Sequence, residues 1–169
     1  MTKGIVSGVV SNMVTLRVDG PVLQGEICYI TTGGDRLMAE VIKVVGSDVY
    51  VQVFESTRGL KVGSEAEFTG HQLEIQLGPG MLSKNYDGLQ NDLDKMDGVF
   101  LRRGQYTAPL DEDRLWDFEP IVKAGDKVEG SAWLGKVEEN HQPLKIMAPF
   151  QMEGVAVVKS IVPADQYKV

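Results

Sequence analysis

The first 70 residues alternate apolar and polar side chains in short runs, which is the pattern of strands that bury one face. In NMVTLRV, Val14, Leu16 and Val18 fall on one face, while Thr15 and Arg17 fall on the other. Two further runs, LMAEVIKVV and DVYVQVF, are rich in the β-branched and aromatic residues that favour strands. Turns separate the runs at Asp19-Gly20-Pro21, Gly33-Gly34-Asp35, Gly46-Ser47-Asp48 and Arg58-Gly59. About five or six short strands with no long helix between them predict a small antiparallel β-barrel over residues 1–70.

The pattern changes over residues 71–110, which we predict to be a connector. LEIQL is a predicted strand that runs into the glycine-rich stretch LGPGMLSKNYDGLQNDL. Asn85 or Asp87 is a candidate cap for a short helix, because Leu89, Leu93 and Met96 then recur on one face. DKMDG ends this helix, and FLRRGQYTAPL follows as a connector broken by glycine and proline.

Strand patterns return over residues 111–169 and predict a second all-β unit. The strand candidates are LWDFEPIV, DKVEG, SAWLGKVE, PLKIMAP and EGVAVVKSIV. Turns are predicted at Ala124-Gly125-Asp126 and Asn140-His141-Gln142-Pro143. The apolar positions of these strands predict a core formed by Trp116, Phe118, Val128, Trp133, Leu134, Val137, Ile146, Val155 and Val157. The predicted fold class is therefore mainly all-β, with a barrel, a short helical connector and a second β unit.

Charge and cysteine content narrow the possible partners and compartments. Seventeen basic and 24 acidic residues give a net charge of -7, which argues against nucleic acids and acidic membranes as partners. The single cysteine, Cys28, excludes an internal disulfide, and a reducing cytosolic setting fits best. Cys28 lies in the strand-like EICYI and is predicted to be a small buried hydrophobe. The sequence shows neither a signal-peptide core nor an apolar run long enough to cross a membrane.

The glycine-rich stretch resembles a nucleotide-binding loop only superficially. A Walker loop requires G-x-x-x-x-G-K-[ST], whereas here Ser83 precedes Lys84 and no glycine comes directly before the lysine. A dinucleotide fingerprint requires G-x-G-x-x-G; Gly78 and Gly80 match it, but Ser83 does not. Pro79 also removes a backbone donor. We therefore predict a tight turn that redirects the chain rather than a phosphate site.

The remaining candidates for chemistry are weak. His71 and His141 are the only histidines, and neither has the spacing of a metal site. The acidic groups Asp111-Glu112-Asp113 and Glu138-Glu139 are predicted to be solvated faces, and the basic pair Arg102-Arg103 a solvated connector. The prediction is that this chain carries no catalytic, cofactor-binding or metal-binding residue.

The second β unit resembles biotinyl and lipoyl carrier domains. V-x-x-G-D-x-V is present from Val122 to Val128, and Ala148-Pro149 is followed by Gly154. A carrier presents a modified lysine at its hairpin tip, but the tip here reads ENHQP, and Lys145 falls in the following strand. The resemblance thus implies a barrel-sandwich hybrid fold without the carrier chemistry, and a carrier or adaptor module remains the alternative function.

Nearly the whole chain resembles the catalytic A subunits (alpha chains) of V-type and archaeal-type rotary ATPases. The similarity begins at GIVSGVVSNMVTLRVDG and continues to VQVFESTRGLKVG. The family stretch L-G-P-G-L-L-x-x-I-Y-D-G-I-Q-R-P-L is matched by residues 77–93, with Asn91-Asp92 in place of Arg-Pro. From residue 99 onward, the order R-G, A-P-L-D, W-x-F-x-P and G-D-x-V-x-G is similar to the insertion, or bulge, of that subunit.

This resemblance implies a particular role. The chain would be the amino-terminal part of a longer subunit that couples ATP hydrolysis or synthesis to proton or sodium transport. Residues 1–70 would form the crown barrel that alternates with B subunits, residues 71–110 the connector and the start of an absent nucleotide-binding domain, and residues 111–169 a bulge that faces the peripheral stalk. ATP and Mg would bind elsewhere in the parent subunit, which also contacts the central rotor and lies in the cytoplasm on the inner face of the membrane. A stand-alone barrel that binds oligonucleotides is a third, less favoured function because of the negative charge.

Overall fold

The computed structural model describes residues 2–96, 98 and 102–169 and forms two compact units. The first unit combines Met1–Ile75 with Met96–Tyr106, and the second combines Gln76–Lys95 with Thr107–Val169. The chain therefore passes from one unit to the other three times. The domain boundaries predicted after residues 70 and 110 concern the organisation of a longer parent and stay predictions.

Six antiparallel strands form a closed barrel in the first unit, which confirms the prediction from the alternating pattern. Neighbouring strands around the barrel follow the order β1-β2-β5-β4-β3-β6. The strands are β1 (Lys3–Val10), β2 (Met13–Val18), β3 (Glu26–Thr32), β4 (Asp35–Val45), β5 (Asp48–Val53) and β6 (Glu65–Gln72).

The barrel interior is filled by the apolar residues that the alternation singled out. Val14 and Leu16 of β2 are 1% and 0% exposed, whereas Arg17, the next residue, is exposed. The core cluster consists of Val6, Val14, Leu16, Cys28, Ile30, Leu37, Ala39, Val41, Val49, Val51, Val53, Ala66 and Phe68. Burial, and secondarily the charge of Glu26, raises the pKa of the Cys28 thiol to about 12. Cys28 is therefore a core hydrophobe that stays protonated, as predicted.

The barrel is closed by a short pairing between its first and last strands. β1 and β6 pair only from Lys3–Glu67 to Ile5–Glu65. At Gly4 in this pairing, a Cβ atom would lie 3.2 Å from both Phe68 Cε2 and Val18 Cγ1. A side chain at this position would push the core phenylalanine away, so the absence of one allows the two strands to meet.

The second unit contains six strands of two to seven residues in two sheets. The four-stranded sheet has the order β10-β9-β7-β12, and the two-stranded sheet pairs β11 with β8. The strands are β7 (Trp116–Pro120), β8 (Lys127–Val128), β9 (Trp133–Glu139), β10 (Gln142–Met147), β11 (Ala156–Val157) and β12 (Asp165–Tyr167).

The core of the second unit is smaller than the sequence predicted. Trp116 and Val137 are buried as expected, but Trp133, Val155 and Val157 are 50%, 59% and 59% exposed. β8 and β11 are only two residues long, so they cannot cover both faces of the unit. Trp133 instead packs its ring against the Lys145 ammonium group, 3.2 Å from the ring centroid. The alternation located β7 to β11, but it overestimated the lengths of β8 and β11 and did not predict β12. It also could not show that Trp133, Val155 and Val157 remain exposed.

The predicted helix after Asn85 is wrong. Within the described residues, helical structure in this region is limited to a single 3-10 turn, Leu93–Lys95. The Asp87 carboxylate does accept the N–H groups of Leu89 and Asn91, as a cap would, but Gln90 adopts a φ of +61° and reverses the chain. The predicted end of the helix at DKMDG includes Asp97, which lies outside the described residues, as do Val99, Phe100 and Leu101 at the start of the predicted bulge and connector.

The LEIQL strand prediction is also wrong, since residues 73–77 form no strand. Leu73, Ile75 and Leu77 are 44%, 62% and 72% exposed, so this alternation has no sheet to join.

Replacement of Gly135 by alanine tests the packing of the second unit. A Cβ atom there would overlap the Phe118 ring and lie 3.0 Å from the Glu119 carbonyl oxygen. We expect Gly135→Ala to lower the free energy of unfolding by about 1–3 kcal/mol, the usual range for overpacking. Urea denaturation followed by tryptophan fluorescence reports on this unit, because both tryptophans, Trp116 and Trp133, belong to it. Gly88→Ala is the matched control, since nothing lies within 4 Å of a Cβ atom there; equal loss of stability in both variants would contradict the packing argument.

Candidate functional site

The glycine loop, residues 77–95, lies within the second unit and is the part of the chain that most invites a functional interpretation. Two of its three glycines, Gly78 and Gly80, allow close packing. A Cβ atom at Gly78 would lie 3.0 Å from Leu110 Cδ1, and one at Gly80, whose φ is +104°, would lie 3.3 Å from Trp116 Cζ2. The loop approaches two buried side chains so closely that side chains at these two positions would be obstructed. The packing of the second unit therefore accounts for these two glycines without any need for a ligand.

Lys84, the only lysine at the position of a candidate phosphate ligand, is already paired with a carboxylate. Its Nζ atom lies 3.3 Å from Asp92 Oδ2, and Lys95 Nζ lies 3.5 Å from the same oxygen. The Asp92 side chain is only 1% exposed. Because Asp92 neutralises Lys84 within the loop, this geometry argues against the phosphate site and agrees with the predicted turn.

The ionisation of Asp92 depends on these neighbours. Burial by itself would raise the pKa of Asp92, but the Lys84 ammonium, the Asp94 backbone N–H and the Lys95 charge outweigh burial and lower the pKa below its ordinary value. The carboxylate thus remains charged inside the unit, where it pairs with Lys84 and Lys95 of the same loop.

A second carboxylate, Asp87, fixes the turn in the middle of the loop. It accepts the Leu89 N–H at 2.9 Å, the Asn91 N–H at 2.8 Å and the Asn91 side-chain amide at 2.8 Å. Burial raises its pKa, but the three hydrogen bonds from Asn91 and Leu89 outweigh burial and lower it. This Asx-type turn is the local reason for the Tyr-Asp-Gly sequence at this point.

The loop is tied to the rest of the second unit through residues 107–109. The Asp92 N–H donates to Thr107 Oγ1 at 2.6 Å, and the Thr107 N–H donates to Asn91 Oδ1 at 3.0 Å. The Tyr86 hydroxyl donates to the Pro109 carbonyl oxygen at 2.8 Å. Asn91 and Asp92, which depart from the resembled pattern of Arg-Pro, are thus integrated into the loop.

The β9–β10 hairpin supplies the other anchor of the loop. Glu139 is 3% exposed, and its Oε1 atom accepts the Leu82 N–H at 2.8 Å. Asn140 Nδ2 donates to Ser83 Oγ at 3.1 Å. Asn140 and His141 have φ values of +49° and +63°, which confirms the turn predicted there. Lys145 lies within β10, as predicted, and is not at the hairpin tip.

The structure scatters the other candidate residues. His71 and His141 are exposed and lie 4.0 Å and 3.5 Å from Glu74 and Glu138. Asp113 pairs with Lys168 at 2.6 Å. Among the described residues, no group of three or more His, Cys, Asp or Glu side chains could hold a metal ion. The absence of catalytic, cofactor-binding and metal-binding residues stays a prediction.

The prediction of a solvated connector at Arg102-Arg103 is wrong for Arg103. Its side chain is 27% exposed and is paired with Asp35 of the barrel. The prediction of a solvated face at Glu138-Glu139 is likewise wrong for Glu139, which is 3% exposed and accepts the Leu82 N–H. Sequence reasoning also missed Asp92 and Thr107. Of these, only Asp92 left a local signal, because it lies three residues before Lys95.

Among the described residues, no helix has the length and apolar character needed to cross a membrane.

Comparison with known proteins matches both units in chain order. Residues 6–70 match a family model described as the ATP synthase alpha/beta family, beta-barrel domain. Residues 107–169 match one described as the ATPsynthase alpha/beta subunit barrel-sandwich domain. The second match falls on the segment that resembles carrier domains, and together the two favour the rotary-ATPase resemblance over the carrier alternative.

Curated relatives extend this similarity across the intervening loop. The V-type ATP synthase alpha chain of Borreliella afzelii (strain PKo) is 43% identical over 171 residues, which cover 99% of this chain and 30% of that relative. The protein of the same name from Treponema denticola is 42% identical over 99% of this chain and 29% of its own length. Borrelia hermsii has another, 43% identical over 99% of this chain. The chain spans about 30% of the length of the Borreliella relative.

Replacement of Asp92 by asparagine tests the ionic centre of the loop. Because the pKa of Asp92 is lowered in the folded state, its charge stabilises the second unit above the ordinary aspartate pKa of about 3.9, and this contribution is lost as the pH falls through the lower folded value. Lys84 and Lys95 are 36% and 42% exposed, so solvent screening moderates the effect. We expect Asp92→Asn to lower the free energy of unfolding by about 1–2 kcal/mol at pH 7. The difference between the variant and the unsubstituted chain should shrink below about pH 4.

Urea denaturation at several pH values, followed by tryptophan fluorescence, measures this difference. Asp94→Asn is the matched control, since Asp94 is exposed and only its backbone N–H contacts Asp92. A pH-independent loss for Asp92→Asn, or an equal loss for the control, would show that the carboxylate charge is not what stabilises the loop.

Proposed function

Because the chain belongs to the ATP synthase alpha/beta family, we propose that it forms the amino-terminal, structural part of the catalytic alpha chain of a V-type ATP synthase or ATPase. The parent enzyme couples ATP hydrolysis or synthesis to proton or sodium transport by rotation. The observation that carries this proposal is the 43% identity over 99% of the chain, which runs through the barrel, the glycine loop and the second unit without a break in order.

Within that enzyme, the two units have different structural roles. The barrel belongs to the crown, a ring in which alpha chains alternate with B subunits, and the second unit faces the peripheral stalk. Apolar side chains on the outside of the β4–β5 hairpin support a role in assembly, because Val44, Val45 and Tyr50 are 38%, 50% and 36% exposed on two paired strands. Exposed apolar side chains that group on a surface are typical of contact with other proteins.

The chemistry of the parent is assigned to residues outside this chain. ATP and Mg bind in a nucleotide-binding domain, and the central rotor contacts the parent subunit elsewhere. The pairing of Lys84 with Asp92 supports this division, since Lys84, the lysine of the glycine-rich turn, is already paired with a carboxylate. In this proposal the headpiece lies in the cytoplasm, peripheral to the inner face of the membrane.

The gene offers the first test. We expect the reading frame beyond Val169 to encode a G-x-x-x-x-G-K-[ST] loop within about 100 codons, because that motif cradles the phosphates of ATP. Sequencing of the locus decides the matter. A reading frame that stops, or that continues for this distance without the motif, would refute the assignment to a catalytic alpha chain.

Association with the non-catalytic subunit is the second test. We expect the chain, mixed with the purified B subunit of the same organism, to form hetero-oligomers that native mass spectrometry resolves, since the crown role requires contact between the two. The control is the same B subunit mixed with an unrelated acidic β-barrel of similar size. If the chain shows no more association than the control at tens of micromolar (a weak affinity by the usual scale), the crown role is wrong.

A further inference from the structure

Residues 102–106, which we call the strap, belong to the barrel unit although they are separated from the barrel strands by the glycine loop. The chain leaves this unit after Ile75, returns at Met96 and leaves again after Tyr106. The strap is thus a second place at which the chain is held to the barrel, in addition to the direct continuation of β6.

Arg103 provides the ionic part of the strap's attachment. Its Nη2 and Nε atoms lie 2.6 Å and 2.9 Å from Asp35 Oδ2, at the start of β4. Its Nη1 atom donates to the carbonyl oxygens of Arg58 and Ser56, in the segment after β5. One guanidinium group therefore bridges the β3–β4 turn and the loop that follows β5.

Glu55 receives the rest of the strap. Its Oε1 atom accepts the Gly104 N–H at 3.0 Å and the Tyr106 hydroxyl at 2.9 Å. The same hydroxyl accepts the Met38 N–H at 2.9 Å, and the Tyr106 ring packs edge-on against Tyr29. Burial, followed by the hydrogen bond and charge of Glu55, raises the pKa of Tyr106, so the hydroxyl remains a donor.

The backbone of the strap is shaped for this seat. Gly104 has a φ of +70°, and a Cβ atom there would lie 3.2 Å from Asp35 Cβ and 3.4 Å from the Arg36 nitrogen. Only glycine allows both this conformation and this approach without strain. The backbone of the strap therefore packs closely against the barrel at Asp35 and Arg36.

The barrel core does not depend on the strap. Every member of the core cluster, from Val6 to Phe68, comes from β1–β6, and no residue of the strap is among them. The attachment consists of polar contacts and one aromatic edge on the outside of the barrel. Segments with few buried apolar contacts open with a smaller free energy than the core they rest on.

Attachment of the strap also has a cost. Among the described residues, Glu55 Oε2 and Gln105 Oε1 are buried and accept no hydrogen bond. An acceptor that is removed from water without a donor opposes the contacts that bury it. The favourable and unfavourable contributions to the attachment therefore partly cancel. We expect the free energy of opening the strap to be much smaller than that of unfolding the barrel.

From these observations we propose that the strap is a reversible latch, which opens and closes on the barrel while the barrel stays folded. Its state sets whether the chain is held to the barrel at one point, the end of β6, or at two. The contacts of Arg103 and Gly104 with Asp35 and Glu55 keep the latch closed. The proposal concerns the chain itself and does not require the assignment to a rotary ATPase.

Two chemical probes on the complete 169-residue chain separate opening of the latch from opening of the barrel. Trypsin cleaves after Arg102 and Arg103, so its rate under native conditions reports on the latch. Cys28 is the only cysteine and is 0% exposed in the barrel core, so its alkylation reports on the barrel. The variants are Asp35→Asn, Glu55→Gln and the double variant, all of which keep both tryptic sites and the shapes of the side chains.

We expect cleavage at these two sites to rise about fivefold or more in each single variant, a size in keeping with loss of a charge-assisted hydrogen bond, and further in the double variant. Alkylation of Cys28 should not change. Asp48→Asn is the matched control, because Asp48 pairs with Arg17 at 3.4 Å elsewhere on the same barrel and does not touch the strap.

Three results would overturn the latch. Cleavage and Cys28 alkylation could rise together, which would make the strap an integral part of the cooperative barrel. Cleavage could stay unchanged in the double variant, which would show that Asp35 and Glu55 do not hold the strap. Cleavage in the Asp48→Asn control could rise as much as in the latch variants, which would reduce the effect to a general loss of surface charge.

Discussion

Closure of the six-stranded barrel through the pairing of β1 with β6 is the constraint on which the first unit depends. Only the stretch from Lys3–Glu67 to Ile5–Glu65 joins these strands, yet it removes the two edges that an open sheet would expose. Closure also surrounds the apolar residues of all six strands with backbone on every side. Because Gly4 lets Phe68 lie directly against this joint, the same position serves both the hydrogen-bonded pairing and the packing of the core.

The second unit is organised by different interactions. Its strands are shorter, and Trp133, Val155 and Val157 are left exposed, so apolar burial contributes less to its structure. Buried or half-buried carboxylates compensate locally. Asp92 holds two lysines, Asp87 holds its own turn, and Glu139 accepts a backbone N–H of the glycine loop. A charge removed from water is tolerated at these positions because each carboxylate meets a cation or hydrogen-bond donors there.

These carboxylates also change the interpretation of the glycine loop. A glycine-rich turn with a lysine is a plausible anion site until the lysine is found paired with Asp92 and the glycines are found packed against Leu110 and Trp116. The β9–β10 hairpin lies where a carrier domain has its lysine-bearing tip. Here the hairpin holds the glycine loop through Glu139 and Asn140. The unit therefore uses, as structural anchors, positions that in related folds could serve chemistry, which agrees with the proposed structural role.

The sequence by itself determined the elements whose information is local. The barrel strands were predictable because period-two alternation places Val14 and Leu16 inside and Arg17 outside whatever the partners are, and the hairpin turn at Asn140 and His141 was predictable from its residue types. The glycine loop was predictable as a turn because the residues for phosphate binding are missing.

Only the tertiary structure decided the rest. LEIQL alternates but finds no sheet, and the helical spacing after Asn85 is overridden when Asp87 closes a tighter turn. Arg103 pairs with Asp35 across 68 positions of sequence. Lys84 pairs with the buried carboxylate of Asp92, which also meets Lys95. Alternation and turn chemistry act between neighbours along the chain, whereas burial and ion pairing depend on which distant segments the folded chain brings together.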